Sequence, residues 1–475
     1  MTPRKKQLVV FIALKRWGGG VERVLYELAH GLDRHRFTVK VIFLEEGKSN
    51  PIPYDSSVST ICLESAEKNS AGARPHCVAD GVNFAYASKT DGNWRILRSM
   101  ITHSLRNIYH IIPLPVRARL KVGEKIKQIR QGTKKYLART GDKGEFPIVP
   151  NYTVLNGICE NWLLVLQMRE ALKKIPQDAI MIPMDERNTV ILWLSQVLPY
   201  RKVIASQHYP YSQAQALRYP ELEVRRAKEW LYLNACRSAE IVTFDSEGSR
   251  LDFIKNYGAS AKRTLFMANP IPCNSIIRKS KMPLPDNLKQ LNRKTIFVQV
   301  ARLVKEKNPL LLVAACSLLR RKYDDFVVFC VGNGPLFGSM QDEIKRMYLQ
   351  DHILLLGEQA NPYPYMSNSR ALLLTSMAES SPLVLLESLV CGVVPVATDC
   401  VAGPRELLGN GKYGLLVPPN DAHLFAHAMY QLATDNSLYD RLRKNASEWV
   451  LRFDSPRALK EWEKLIETVG ENRES

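Results

Sequence analysis

The stretch from Ala371 to Glu387 constrains the chain most strongly. Ala371 to Thr375 is a continuous apolar run closed by a polar residue, the pattern of a strand buried on both faces in a parallel sheet. It runs into S-M-A-E-S-S-P-L-V-L-L-E, Ser376 to Glu387, with Glu379 and Glu387 eight positions apart and Ser381-Pro382 between them. A polar residue followed by proline marks a helix start: Ser381 can cap the orphan amides, and Pro382 needs no hydrogen bond at the first helical position. The segment therefore predicts strand, acidic loop, helix. A helix N-terminus that follows a parallel strand presents free amides and a positive partial charge to the crevice, and phosphate is a common occupant. Glu379 falls in the loop; Glu387, inside the helix, either faces the same crevice or is an ordinary solvated glutamate.

The same unit recurs along the chain. Leu8 to Leu14 reads as a buried strand, and the turn Gly18-Gly19-Gly20 separates it from a helix over Glu22 to Leu32. Glycines there either let the backbone approach a ligand closely or simply make a tight turn that packs helix on strand. They do not form G-x-G-x-x-G, the nicotinamide fingerprint. Further strands are expected at Phe37 to Leu44, Ala179 to Pro183, Lys202 to Ser206, Glu240 to Phe244 and Leu265 to Ala268. His208 follows Lys202 to Ser206, where a parallel strand opens into the crevice; the placement suits a functional histidine as well as a structural one. Residues 276–293 carry prolines and lysines without periodicity and read as a linker between a domain over 1–275 and a second over 294–450. The second domain repeats the pattern, with strands at Thr295 to Ala301, Phe326 to Val331, Ile353 to Leu356, Ala371 to Thr375, Val393 to Thr398 and Leu415 to Pro418. Residues 451–475, with Leu459, Trp462 and Leu465 at helical spacing, can cross back to the first domain.

The fold class expected is α/β, two doubly wound parallel sheets facing across a cleft lined by the loops that end their strands. In the second domain these loops hold Arg302, Lys307, the turn Gly332 to Gly334, Glu379 and the helix start at Ser381. A guanidinium and an ammonium beside a helix N-terminus make a site for a diphosphate. No paired aspartates of the D-x-D type are present to hold a divalent ion, so neither metal nor cofactor is expected.

Composition limits the partners. The 475 residues carry a net charge of +19, and the nine cysteines are scattered without a C-x-x-C pair, which suggests neither a disulfide framework nor a zinc site. Leu8 to Leu14 is too short for a signal peptide, and no apolar stretch is long enough to span a bilayer. More than half of the excess charge sits in Lys89 to Lys143, with fourteen basic residues against three acids. That segment interleaves Trp94, Tyr109 and Tyr136 with an amphipathic pattern (Ile96, Met100, Ile101, Leu105, Ile108), which suits an anionic lipid interface or a solvated basic surface packed on the core. The charge alone would permit salt-steep nucleic-acid binding, but no reading helix or stacking motif accompanies it, and nucleic acid is not an expected partner.

The motifs together resemble retaining glycosyltransferases of family 4, the group 1 glycosyl transferases with GT-B architecture. The resemblance rests on G-G-V-E-R-V-L at Gly19 to Leu25, N-P-I at Asn269 to Ile271, V-A-R-L-V-K-E-K-N at Val300 to Asn308 and V-G-N-G-P at Val331 to Pro335. E-S-S-P-L-V-L-L-E-S at Glu379 to Ser388, C-G-V-V-P-V-A-T-D at Cys391 to Asp399 and A-G-P-R-E-L-L at Ala402 to Leu408 complete it. It implies that Arg302, Lys307 and the amides of Leu383 and Val384 bind the diphosphate of a nucleotide sugar. Gly19 and Gly20 would sit beneath that diphosphate from the opposite domain. Glu387 would hold the ribose, Glu379 the donor sugar, and His208, here in S-Q-H-Y-P-Y, would reach the reacting centre. The insertion at about 84–150 exceeds a minimal family member. It suits a membrane-associated, lipid-linked glycan acceptor in lipopolysaccharide, capsule or other surface-polysaccharide synthesis, at the cytoplasmic face of the inner membrane. Fold alone also admits a nucleotide-sugar epimerase.

Overall fold

The computed structural model describes residues 6–15, 19–45, 53–63, 162–195, 201–444 and 446–471. The basic insertion, with its expected amphipathic helix, lies outside them. The N-terminal sheet has seven strands: β1 (Gln7–Lys15), β2 (Phe37–Glu45), β3 (Ser59–Cys62), β4 (Ile180–Pro183), β5 (Lys202–Gln207), β6 (Ile241–Phe244) and β7 (Thr264–Phe266). Their order is β3-β2-β1-β4-β5-β6-β7, with every pairing parallel. The C-terminal sheet has six: β8 (Thr295–Val300), β9 (Phe326–Val331), β10 (Ile353–Gly357), β11 (Ala371–Leu374), β12 (Val394–Thr398) and β13 (Leu415–Val417). They run β10-β9-β8-β11-β12-β13, again parallel throughout.

This order explains where function can sit. In each sheet the strand order reverses beside the first strand, between β1 and β4 and between β8 and β11. A doubly wound sheet opens its crevice at such a switch point, outside the carboxyl ends of those strands. The loops after β1, β4, β8 and β11 carry Gly19 to Glu22, Asp185 and Glu186, Arg302 to Lys307, and Ser376 to Ser381 in turn. The strands themselves are apolar on both faces because helices cover both: Phe326–Val331 and Ala371–Leu374 are buried at every position.

Three expectations change. Residues 276–293 are not an aperiodic linker. They form a helix at Cys273–Ser280 and shorter turns to Arg293, and Cys273, Ile276, Leu284 and Leu288 are buried in the C-terminal core. The burial of four apolar side chains offsets the prolines that break the pattern. The first helix begins at Gly20, not Glu22, because Gly19 serves as its N-cap. Ser381 does not cap the helix after β11: that helix is Leu383–Val390, its N-cap is Pro382, and no side chain accepts there.

The chain crosses between domains twice, and the two crossings are paired. Ile271 N donates to Phe453 O at 2.9 Å and Ser455 N to Ile271 O at 2.9 Å. Beyond them the helix Ser455–Glu471 lies on the N-terminal domain, with Trp462, Leu465, Ile466 and Val469 in one cluster with Val9, Leu28, Ala29 and Ile180. Arg36 adds ion pairs to Glu463 and Glu467. Because Trp462 is 2% exposed, Trp462→Ala is expected to lower N-terminal domain stability by about 3–5 kcal/mol. Arg36→Ala, at the surface, is expected to cost no more than about 1 kcal/mol. Guanidinium denaturation followed by tryptophan fluorescence distinguishes the two.

Candidate active site

The C-terminal wall of the cleft is built from β8, β9 and β11. Arg302 lies in the loop after β8, exposed, and it makes no ion pair among the described residues. The loop that holds it is clamped by the Gly332-Asn333-Gly334 turn after β9: Leu303 N donates to Asn333 O at 2.9 Å and Leu336 N to Leu303 O at 2.9 Å. Gly332 is at φ +140°, and a Cβ there would run into the Ala301 carbonyl oxygen, so only glycine allows this approach. Lys307 ends the same loop. Its ammonium pairs with Glu379 Oε1, to which Ser376 Oγ also donates at 2.6 Å. Glu379 is thus a buried carboxylate with a cation and a hydroxyl on one oxygen. Burial pushes the thiol of Cys400, beside Glu379 and Lys307, up to about 12, which keeps it neutral and leaves cysteine chemistry out of this wall.

Between these groups stands the N-terminus of the helix Leu383–Val390. Leu383 and Val384 are its first two residues, and amides at those positions have no acceptor within the helix. Ser381 is partly exposed beside them. One turn on, Glu387 is 1% exposed. It is not solvated: Arg23 of the N-terminal domain pairs with Oε1, and the Tyr363 hydroxyl donates to the same oxygen at 3.4 Å while accepting from Arg23 Nη2 at 2.8 Å.

The N-terminal wall comes from the loops after β1, β4, β5 and β6. Around Gly20 a Cβ would meet nothing within 4 Å, so its face is open, whereas at Gly19 it would strike the Glu22 carboxylate, which folds back over the helix start. Burial raises Glu22 to about 7, with Asp185 adding to the rise and Arg302 and His208 opposing it. These four groups therefore share one electrostatic neighbourhood across the cleft. Burial likewise raises Asp185, and raises Glu186 to about 7. His208 is 7% exposed. Its Nε2 lies 3.0 Å from Ser206 Oγ and its Nδ1 3.4 Å from Asp245 Oδ2. Gln207 bridges past His208, donating to Tyr209 O at 3.3 Å and accepting from the Tyr232 hydroxyl at 3.1 Å.

The eleven residues expected at the site (Gly19, Gly20, His208, Arg302, Lys307, Gly332, Glu379, Ser381, Leu383, Val384 and Glu387) lie after the ends of β1, β5, β8, β9 and β11, on loops and in the first turns of the helices that follow them. Gly332 contributes by shaping the Arg302 loop, and His208 has both ring nitrogens within reach of neighbours. Arg23, Tyr363, Glu22 and Asp245 were not expected at the site. Arg23 and Glu22 stand inside G-G-V-E-R, the signal that could have found them.

A family model described as glycosyl transferases group 1 matches residues 284–449. Over these residues the chain is similar to the group 1 glycosyl transferases. The match coincides with the C-terminal sheet and holds Arg302, Lys307, Glu379 and Glu387. An N-acetylgalactosaminyltransferase of Campylobacter jejuni, named for a diphospho-undecaprenol-linked substrate, is 30% identical over 46% of this chain and 57% of its own length. An uncharacterized glycosyltransferase of Methanocaldococcus jannaschii is 24% identical over 48% of this chain and 64% of its own. The chain thus spans less than two thirds of either relative. Among solved structures, Anabaena Alr3699/HepE in complex with UDP superposes with TM-score 0.62 at 15% identity, covering 97% of this chain and 100% of that one. The fold is GT-B.

The acids around the cleft set a pH dependence. A carboxyl whose folded value is raised holds its proton in the folded state while the unfolded chain releases it. Its contribution is therefore fully present at low pH and is lost as pH rises from about 4.5 to about 7. For Glu22 a rise from 4.5 to about 7 amounts to about 3 kcal/mol over that window. Glu22→Gln is expected to retain at pH 8 part of the stability that the parent loses between pH 5 and pH 8, as read by denaturation at the two pH values.

Proposed function

We propose that the chain transfers a sugar from a nucleoside-diphosphate sugar to a membrane-associated, lipid-linked glycan, with retention at the anomeric carbon and without a metal ion. The observation that supports the reading is that Arg302 and Lys307 stand on the loop after β8 and the amides of Leu383 and Val384 at the helix start after β11, the two strands that flank the switch point of the C-terminal sheet. Two cations and a helix end balance the charge of a diphosphate both when it binds and when it leaves. Glu387, deeper in the cleft, is placed for the ribose hydroxyls, which would take over the role that the Arg23 guanidinium plays on Oε1. Glu379, held by Lys307 and Ser376, is placed for the hydroxyls of the donor sugar.

The lipid-linked acceptor is supported by the substrate named for the Campylobacter jejuni relative and by the basic insertion, whose lysines and arginines suit an anionic membrane surface. No helix among the described residues is long and apolar enough to cross a membrane. Attachment would be peripheral, and the nucleotide sugar places it at the cytoplasmic face of the inner membrane.

Lys307→Ala and Glu387→Ala are each expected to reduce transfer by at least about a hundredfold while leaving the circular dichroism spectrum unchanged. Release of nucleoside diphosphate from a panel of UDP-, GDP- and ADP-sugars, with EDTA present, measures it, and full activity in both variants would refute the donor site. Deleting residues 89–143 is expected to reduce binding to vesicles containing anionic lipid and leave donor hydrolysis intact. Equal partitioning of the deletion and the parent would exclude the membrane role of the insertion.

A further inference from the structure

A second polar cluster adjoins the donor site and belongs to both domains. Asp245 ends β6 and is 6% exposed. Two groups donate to its carboxylate, and a ring nitrogen of His208 lies against it. Ser380 Oγ, from the C-terminal domain, donates to Oδ1. Asn269 Nδ2 donates to Oδ2 at 3.2 Å, and His208 Nδ1 lies 3.4 Å from that same oxygen. Ser380 is in turn within 2.6 Å of Ser249 Oγ and 3.2 Å of Ser246 Oγ, and Ser246 caps the helix Glu247–Tyr257 by accepting from Ser249 N. All of these side chains are buried. A carboxylate in such surroundings persists only when donors satisfy it, so its geometry is over-determined rather than adaptable.

We propose that Asp245 is a positioning residue for the transfer reaction, fixing the His208 ring on one side and the Glu379 to Pro382 loop on the other. The proposal rests on the donor-site reading above. With Asp245 accepting from Nδ1–H, His208 is held in the tautomer whose Nε2 accepts from the Ser206 hydroxyl, so the ring is locked at both nitrogens. The opposite oxygen holds Ser380, the residue between Glu379 and Ser381. One carboxylate thereby sets the distance between the β5 end of one domain and the donor loop of the other.

The same face carries a second, matching contact. Glu406 of the C-terminal domain accepts from the amides of Glu247 at 3.0 Å and Gly248 at 3.4 Å. A Cβ on Gly248 would press on Ala402 at 2.8 Å, so the two loops meet closely only with glycine there. Gly403, at φ +47°, would in the same way strike the Ser380 carbonyl if it carried a side chain. The A-G-P-R-E segment is therefore the support on which the Asp245–Ser380 bond closes.

The test is a double-mutant cycle on the full chain. Asp245→Asn keeps size and shape but removes the charge that strengthens its hydrogen bonds, and Ser380→Ala cuts the interdomain arm. Each is expected to lower kcat by about tenfold to a hundredfold through misplacement of the reacting groups, with nucleoside-diphosphate affinity by calorimetry retained in Asp245→Asn. The double variant is expected to lose no more than the worse single one, because both act through one contact. Unchanged kcat in Asp245→Asn, or fully additive losses, would overturn the proposal. A second readout needs no substrate: in protein with nitrogen-15-labelled histidine, Asp245→Ala is expected to move the His208 ring proton from Nδ1 to Nε2. An unchanged His208 signal would overturn the hold on the ring. Turnover by the parent chain tests the donor reading separately, so failure of that reading and failure of the Asp245 role are distinguishable.

Discussion

A carboxylate withdrawn from water has to find a cation or several hydrogen-bond donors, and the arrangement of this molecule follows from that requirement. Four acids around the cleft are met in this way. Glu379 is paired with Lys307 in its own domain. Glu387 finds Arg23, Asp245 finds Ser380, and Glu406 finds the Glu247 and Gly248 amides, each across the domain boundary. The two sheets would each fold around their own apolar clusters without these contacts. What the contacts fix is how one sheet's switch point faces the other's. The acids are therefore less a source of net stability, since desolvation offsets most of the Coulombic gain, than a device that selects one closed geometry.

That geometry has a consequence for ligand exchange. Arg23 reaches Glu387 from the first helix of the N-terminal domain, whose N-terminus Gly20 also faces the cleft. If a nucleotide sugar binds as proposed, its ribose beside Glu387 would compete with the Arg23 bond that joins the domains, while the Asp245 and Glu406 contacts, made by other residues, would remain to hold them together.

Much of this was legible in the sequence because parallel strands buried on both faces leave continuous apolar runs. Twelve of the thirteen strands were read from such runs; β3 (Ser59–Cys62), at the sheet edge with Ser59 and Thr60 exposed, leaves no such run. The failures have physical reasons. Ser381 resembled a cap because Ser-Pro is a local signal, but its neighbour Ser380 is drawn to Asp245, and the helix starts at Leu383 without a side-chain cap. Residues 276–293 lacked periodicity because their turns are short, yet Leu284 and Leu288 fill the C-terminal core. The pairings of Arg23 with Glu387 and of Asp245 with Ser380 could not be read: each joins residues more than a hundred positions apart, and pairing across a domain boundary leaves no period in either segment.

His208 shows what the structure adds to a motif. By position alone, at the end of β5 in the crevice, it could serve as an acid or base at the reacting centre. Its ring nitrogens, however, lie within reach of Ser206 and Asp245, and the ring is nearly enclosed. Nδ1 of His208 faces Asp245 and Nε2 faces Ser206, so neither nitrogen is turned to the open cleft, and Glu379 is tied to Lys307 and Ser376. Charge developing on a departing diphosphate would fall to Arg302, Lys307 and the helix end at Leu383, all of which act by position rather than by proton transfer. In such a cleft the rate depends on how rigidly the walls are set, which is why the contacts between them matter more than any single reactive group.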